Sequence, residues 1–173
     1  MRILSILTLL VIFAGCESKN KSTETPQYTI THVEGSKNLY LITNEFTGVI
    51  IAPDTMANTQ TDTQFMPSIQ DIFKAESIFK KCLTGSTPAK DGSQIDSTII
   101  KSPSQYIRQY VGYKNKQGEK TILLNCFTKE SVSKQDYWKK DIIVITDGGN
   151  NYFSINVNLT KENCSNFNTN RKS

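Results

Sequence analysis

Apolar positions recur at helical spacing in one stretch of this chain, where Ile69, Ile72, Phe73, Phe79 and Leu83 share a face of a 3.6-residue repeat. Pro67-Ser68 opens the stretch, and Asp71 sits in its first turn, where a carboxylate meets the positive end of the helix dipole. Lys80 and Lys81 fall at its end and Gly85 stops it. The other face carries Asp71, Lys74 and Lys81, so the helix is expected to lie on a sheet with one side in water.

Elsewhere the period is two. Residues 28–33 and 39–52 are rich in β-branched and aromatic side chains, with a turn at 34–38 between them and a break at Asn44. Residues 53–63 read as a loop, and 84–104 as a polar connection with strand character only at 97–100. Two hairpins are expected to follow. Residues 106–113 and 120–127 flank a Gly-bearing loop at 114–119, and 142–145 and 152–159 flank Asp147-Gly148-Gly149-Asn150-Asn151. In the last strand Phe153, Ile155, Val157 and Leu159 alternate with Tyr152, Ser154, Asn156 and Asn158, the pattern of a sheet with one buried and one exposed face. The expected fold class is α+β: one main helix packed on a mostly antiparallel sheet of about four to six strands. Cystatin-like and nuclear-transport-factor-like folds share that plan, and the likeness transfers no activity.

The N-terminus has a different pattern. Residues 1–16 read MRILSILTLLVIFAGC: Arg2 supplies a positive start, and an apolar run from Ile3 to Phe13 is broken only by Ser5 and Thr8. The run is too short to span a bilayer, which takes roughly 20 apolar residues, but it has the layout of a secretory signal. Phe13-Ala14-Gly15-Cys16 resembles the lipobox of bacterial lipoproteins, with Phe13 standing where Leu is usual. The resemblance implies diacylglyceryl modification of the Cys16 sulfur, cleavage before it and fatty acylation of the new amine. Residues 1–15 are then the signal peptide, 16–27 a lipidated flexible tether rich in Ser, Thr, Lys and Asn, and 28–173 a single domain. Several acyl chains hold a protein stably where one does not. Glu17 is not the Asp that retains many lipoproteins at the inner membrane, so the expected address is the outer membrane, with the leaflet open.

Cleavage leaves 158 of the 173 residues, enough for one domain with a core, and lowers the net charge from +4 to +3. That small surplus is spread along the chain and gives nucleic-acid binding no support. With Cys16 committed to lipid, Cys82, Cys126 and Cys164 remain: export permits one disulfide of unknown pairing, which leaves one thiol over, and the alternative is that all three stay reduced. No two cysteines are close in sequence and His32 is the only histidine, so neither a metal nor a cofactor is expected.

Candidate chemistry is sparse. Asp147, Asn150 and Asn151 have the oxygens for calcium, but turn chemistry explains them and the spacing does not match a calcium loop. Asp71 and Glu76 lie five apart on the helix and do not share a face. His32 belongs to no recognisable catalytic motif and reads as structural. Asn158-Leu159-Thr160 and Asn163-Cys164-Ser165 match the glycosylation pattern, which a bacterial signal makes irrelevant. Tyr106, Tyr110, Tyr113, Tyr137, Trp138 and Tyr152 gather around the hairpins, with Trp138 read as a plug beneath a short helical connection. Tyr110 and Tyr152 with Asn156 and Asn158 are the candidate binding surface for a glycan or an envelope protein.

Gln109-Tyr110-Val111-Gly112-Tyr113 and Asp147-Gly148-Gly149-Asn150-Asn151-Tyr152-Phe153 also resemble segments of small uncharacterised bacterial lipoproteins, a likeness over about two-thirds of the mature chain that implies no activity. The expectation is a non-enzymatic binding or assembly module held at the membrane by Cys16. The alternatives are a small hydrolase or isomerase in the concavity of the sheet and a protein inhibitor.

Overall fold

A computed structural model describes residues 27–53, 62–85, 99, 102–132, 136–145 and 148–169. The expected signal peptide, Cys16 and nearly all of the expected tether lie outside the described residues, as do Asp147, residues 54–61 of the expected loop and all of the expected strand at 97–100 except Ile99. The described residues include eight strands and one long helix: β1 (Tyr28–His32), β2 (Leu39–Thr43), β3 (Thr47–Ile50), β4 (Thr63–Phe65), α1 (Ile69–Leu83), β5 (Tyr106–Lys114), β6 (Lys120–Thr128), β7 (Tyr152–Asn158) and β8 (Asn163–Thr169). They form one mixed sheet in the order β1-β2-β3-β5-β6-β7-β8, with β4 also pairing with β5. All pairings are antiparallel except β3 with β5, where Gly48 lies opposite Arg108. β3 runs beside Arg108 to Tyr110, and β4 takes over the same edge of β5 from Gly112 to Lys114. Among the described residues no helix is long and apolar enough to cross a membrane.

Eight strands replace the four to six expected. β4 is three residues long, and β8 (NCSNFNT) carries mostly Asn, Ser and Thr, so neither has the apolar alternation that announces a strand. The second hairpin is also different. Residues 142–145 do not pair with β7, whose neighbours are β6 and β8, and the hairpin is β7–β8. Its turn is closed by Asn158 Oδ1, which accepts from the Thr160 and Lys161 amides. Gly149-Asn150-Asn151 forms a 3₁₀ turn leading into β7 rather than a hairpin loop.

The helix starts where its sequence says it should. Ser68 Oγ accepts from the Asp71 amide and Asp71 Oδ2 accepts from the Ser68 amide, a complete capping box. Ile72, Ala75, Ile78, Phe79, Cys82 and Leu83 are buried against Ile122, Leu124, Cys126, Phe153, Ile155 and Val157 of the sheet. Each large side chain buried in this way contributes about 1.5–3 kcal/mol. A disulfide joins Cys82 in the last turn of α1 to Cys164 in β8, with Cα atoms 6.4 Å apart. Cys126 stays a free thiol, buried on β6.

The far face of the sheet is covered as well, which departs from the one-sided sheet expected from the β7 alternation. Tyr152 is buried there with Val49, Ile51, Ile107, Val111, Phe127, Val132, Trp138 and Ile143. The cover is the irregular strap formed by residues 136–145, entered through a 3₁₀ turn at Asp136–Lys139 from which Trp138 plugs the layer. Ile142, Ile143 and Ile145 pack into this layer while Val144 is exposed, and the Ile143 backbone bonds to side chains instead of to a ladder.

Candidate functional site

The described residues form a cleft of about 630 Å³ between the C-terminal half of α1, the β2–β3 turn and a 3₁₀ turn at Pro103–Gln105. The β2–β3 turn is set by Thr43, whose hydroxyl oxygen accepts from the Glu45 and Phe46 amides and donates to the Phe46 carbonyl. That turn swings the Phe46 ring over the sheet, 6.2 Å from both Phe73 and Tyr110 in edge-to-face contacts. Phe46, Phe73, Phe79 and Leu83 line the cleft with Glu76 and Arg108. Gln27, the first described residue, also lines it.

Glu76 and Arg108 are the chemistry of the place. Glu76 falls three residues after Phe73 and three before Phe79, so a helix that buries those rings turns the carboxylate inward. Arg108 points to the same face of the sheet because it shares the parity of Tyr106 and Tyr110 on β5. Their side chains are only 13% and 4% exposed, and Arg108 Nε lies 2.7 Å from Glu76 Oε1. The Nε–H does not point along that line, so the contact is ionic rather than a directed hydrogen bond. The other guanidinium nitrogens donate to the Tyr106 carbonyl at 2.8 Å and the Pro103 carbonyl at 3.2 Å, and the group sits 5.3 Å from the Phe46 ring centre. Tyr110 donates its hydroxyl to the same Glu76 Oε1 at 2.7 Å. Gly48 makes room for the Tyr110 ring: a Cβ there would stand 2.6 Å from the ring and 2.7 Å from the Arg108 carbonyl.

Burial pushes the Glu76 carboxyl above its usual range, with the Arg108 guanidinium and the Tyr110 hydroxyl pulling the other way. Burial works against the charge on Arg108, but Glu76 together with Tyr110 and Cys126 outweighs it and the guanidinium is held protonated. Tyr110 is driven well up by burial and then by the Glu76 charge, so it stays a donor. Burial likewise raises Cys126, which lies opposite Arg108 across the β5–β6 pair, and keeps its thiol protonated. A thiol in that form is a poor nucleophile.

The residues singled out from sequence do not assemble into this site. Tyr110 is fully buried on the helix face of the sheet, whereas Tyr152 is buried on the strap face, where its hydroxyl donates to the Ile143 carbonyl at 3.2 Å. Asn156 and Asn158 are half-buried on the parity of Tyr152, and Asn158 is occupied by its turn, so the four share no exposed surface. His32 is exposed on β1, outside the cleft lining. Asp71 is engaged by Ser68 and by Lys120, whose Nζ is 3.2 Å away, while Glu76 faces the sheet, so the two carboxylates stay apart as their spacing requires. Asn150 belongs to the 3₁₀ turn, and its carbonyl accepts from the Tyr106 hydroxyl at 2.7 Å. Of the aromatic group, Tyr106 and Trp138 are buried and Tyr137 is exposed. Arg108 and Glu76 were legible in one respect: each is a charge at a position whose neighbours in register are apolar.

No protein-family model, curated protein or solved structure matches the chain.

Proposed function

We propose that this chain is a lipid-anchored protein of the bacterial cell envelope, held through Cys16, whose domain works as a non-enzymatic binding module. The observation that carries the binding reading is the cleft between α1 and the β2–β3 turn, whose volume of about 630 Å³ falls within the range of small-molecule sites. Its two ionisable floor groups, Glu76 and Arg108, neutralise each other, which suits holding a ligand better than moving protons. The address rests on the signal-like run ending at Cys16, and the Cys82–Cys164 bond supports it, because disulfides persist in exported proteins. The outer membrane is the preferred location. Palmitate-type acylation supplies the anchor, and an envelope protein or glycan remains a candidate partner. The arrangement of one helix across a sheet keeps a cystatin-like or nuclear-transport-factor-like plan in view as a layout only.

One observation favours a second reading, a small hydrolase or isomerase. Glu45 and Glu76 both line the cleft, and the Glu45 charge adds to the upward push on Glu76. Against it, Glu76 already serves Arg108 and Tyr110. The anchor is tested with Cys16→Ala, which is expected to abolish metabolic labelling by fatty acid and to leave the precursor unprocessed. Normal labelling of that variant would sink the proposal.

A further inference from the structure

We infer that the cleft beneath Phe46 takes an uncharged single-chain amphiphile, one apolar tail with a hydroxyl or amide donor at its head, drawn from the membrane to which the tether leads. The inference rests on the anchored-module reading for its source and on the cleft alone for its chemistry. The walls are apolar where a tail would lie: Phe73, Phe79 and Leu83 from α1, faced by Phe46 from the β2–β3 turn. The floor is polar at one point. Glu76 spends Oε1 on both Arg108 and Tyr110, and neither contact uses Oε2 of a carboxylate that still lines the cleft. An ionised carboxylate is acceptor only, so the head it selects must donate a hydrogen bond.

Charge then narrows the class. Glu76 and Arg108 cancel on the floor, and Glu45 and Lys80, 3.7 Å apart, cancel at the rim. An ammonium head would meet the Arg108 guanidinium, and a carboxylate head would meet Glu76, each inside a space that excludes much of the water needed to screen them. A neutral donor meets neither penalty. The mouth of the cleft includes Gln27, and residues 17–27, if extended, reach at most about 40 Å from the lipidated cysteine. A cleft on that leash stays within reach of the bilayer surface.

The test uses full-length protein in phospholipid vesicles and three photoreactive probes that share one diazirine-bearing alkyl chain: the alcohol, the carboxylic acid and the primary amine. Labelling is normalised to that of the vesicle lipid, and the labelled peptides are mapped by mass spectrometry. The alcohol is expected to label the α1 peptide around Phe73 and the β2–β3 turn more strongly than the acid or the amine. Ser77→Trp, which fills the mouth from an exposed helix position, is expected to abolish that labelling while leaving the circular dichroism spectrum unchanged. Glu76→Gln frees the Arg108 charge and is expected to reverse the order in favour of the acid. Acid or amine labelling best in the wild type, labelling that survives Ser77→Trp, or no labelling at these peptides would each overturn the inference. If Glu76→Gln does not fold, the probe order and Ser77→Trp decide. Repeating the alcohol experiment on Cys16→Ala separates the two ideas. Cleft labelling that persists there stands even if the anchor fails, and fatty-acid labelling of Cys16 stands even if the cleft stays empty.

Discussion

The two faces of the sheet are both covered, and they are covered by opposite means. On one side α1 satisfies its own backbone, so the strands beneath present mainly apolar and aromatic side chains, with Arg108 paired to Glu76 as the buried charge. On the other side the strap at 136–145 has no ladder to satisfy its peptide groups, and the sheet supplies the partners from buried amide side chains. Gln109 Nε2 donates to the Trp138 and Asp141 carbonyls, both at 2.7 Å, and its Oε1 accepts from the Ile143 amide at 2.9 Å. Asn125 Nδ2 donates to Gln109 Oε1 and to the Ile143 carbonyl, both at 2.8 Å. Asn38 Nδ2 donates to the Lys139 and Lys140 carbonyls while its Oδ1 accepts from the Ala52 amide. A regular element can be held by shape and apolar area alone, whereas an irregular one needs a polar partner for each peptide group it buries.

The largest effect should come from breaking the amide network. Gln109→Leu keeps roughly the volume but strands three peptide groups and Asn125, and should cost about 4 kcal/mol in urea unfolding at one to three per buried group, with partial relaxation. A cost near zero would mean that the strap is held by its apolar side chains after all. Opening the Cys82–Cys164 bond, by reduction or by Cys164→Ser, releases a closure of 82 residues and should cost about 4 kcal/mol. That loss belongs to the helix face, so amide exchange should quicken in α1 and β8 before it does at the strap. Asn38→Ala is expected to cost about 2 kcal/mol and to raise exchange at the Ala52 amide selectively. Ile155→Leu on the helix face, a swap that keeps volume, should cost only about 1 kcal/mol, and this contrast with Gln109→Leu is the comparison in its sharpest form.

The smallest effect tests the cap. Ser68→Ala removes one half of the capping box and should lower stability by about 1 kcal/mol. Burial works to raise the Asp71 carboxyl, but hydrogen bonds from the Ser68 backbone and side chain, with Lys120 beside it, outweigh that and leave it lowered. A carboxyl lowered by folding contributes stability above its unfolded pKa and loses it as the pH falls through the lower folded value. Wild-type stability should therefore decline on acidification below the ordinary carboxyl range, and Asp71→Asn should flatten that decline. An equally steep decline in Asp71→Asn would remove the cap from the account.

The helix face was the legible one. Ser68, Asp71, the apolar stripe and Gly85 mark both ends of α1, and the strands expected at 106–113 and 120–127 fall one residue short of the observed β5 and β6. The strap face was not. Residues 142–145 read as a strand because local composition reports burial without saying whether a ladder or an amide satisfies the backbone. Nothing in the sequence marks Gln109 and Asn125 as buried amides rather than exposed ones, yet both are buried. The cleft escaped because it is made where elements distant in sequence meet: Phe46, Phe73 and Arg108 come from three of them. The disulfide pairing was open among three cysteines until the fold brought α1 against β8.

That pairing has a consequence for how the chain matures. Of the three cysteines within the fold, synthesis delivers Cys82 first, Cys126 next and Cys164 last, so a wrong partner for Cys82 is available before the right one. The wrong loop is also shorter, 44 residues against 82, which favours it by about 0.5 kcal/mol of closure entropy in a flexible chain. In the folded sheet β6 is paired with β5 and β7 and Cys126 is buried beneath the helix layer, so it drops out of the competition once those strands have paired. Oxidation that outruns the sheet would trap the chain, and oxidation that waits for it leaves Cys82 a single choice.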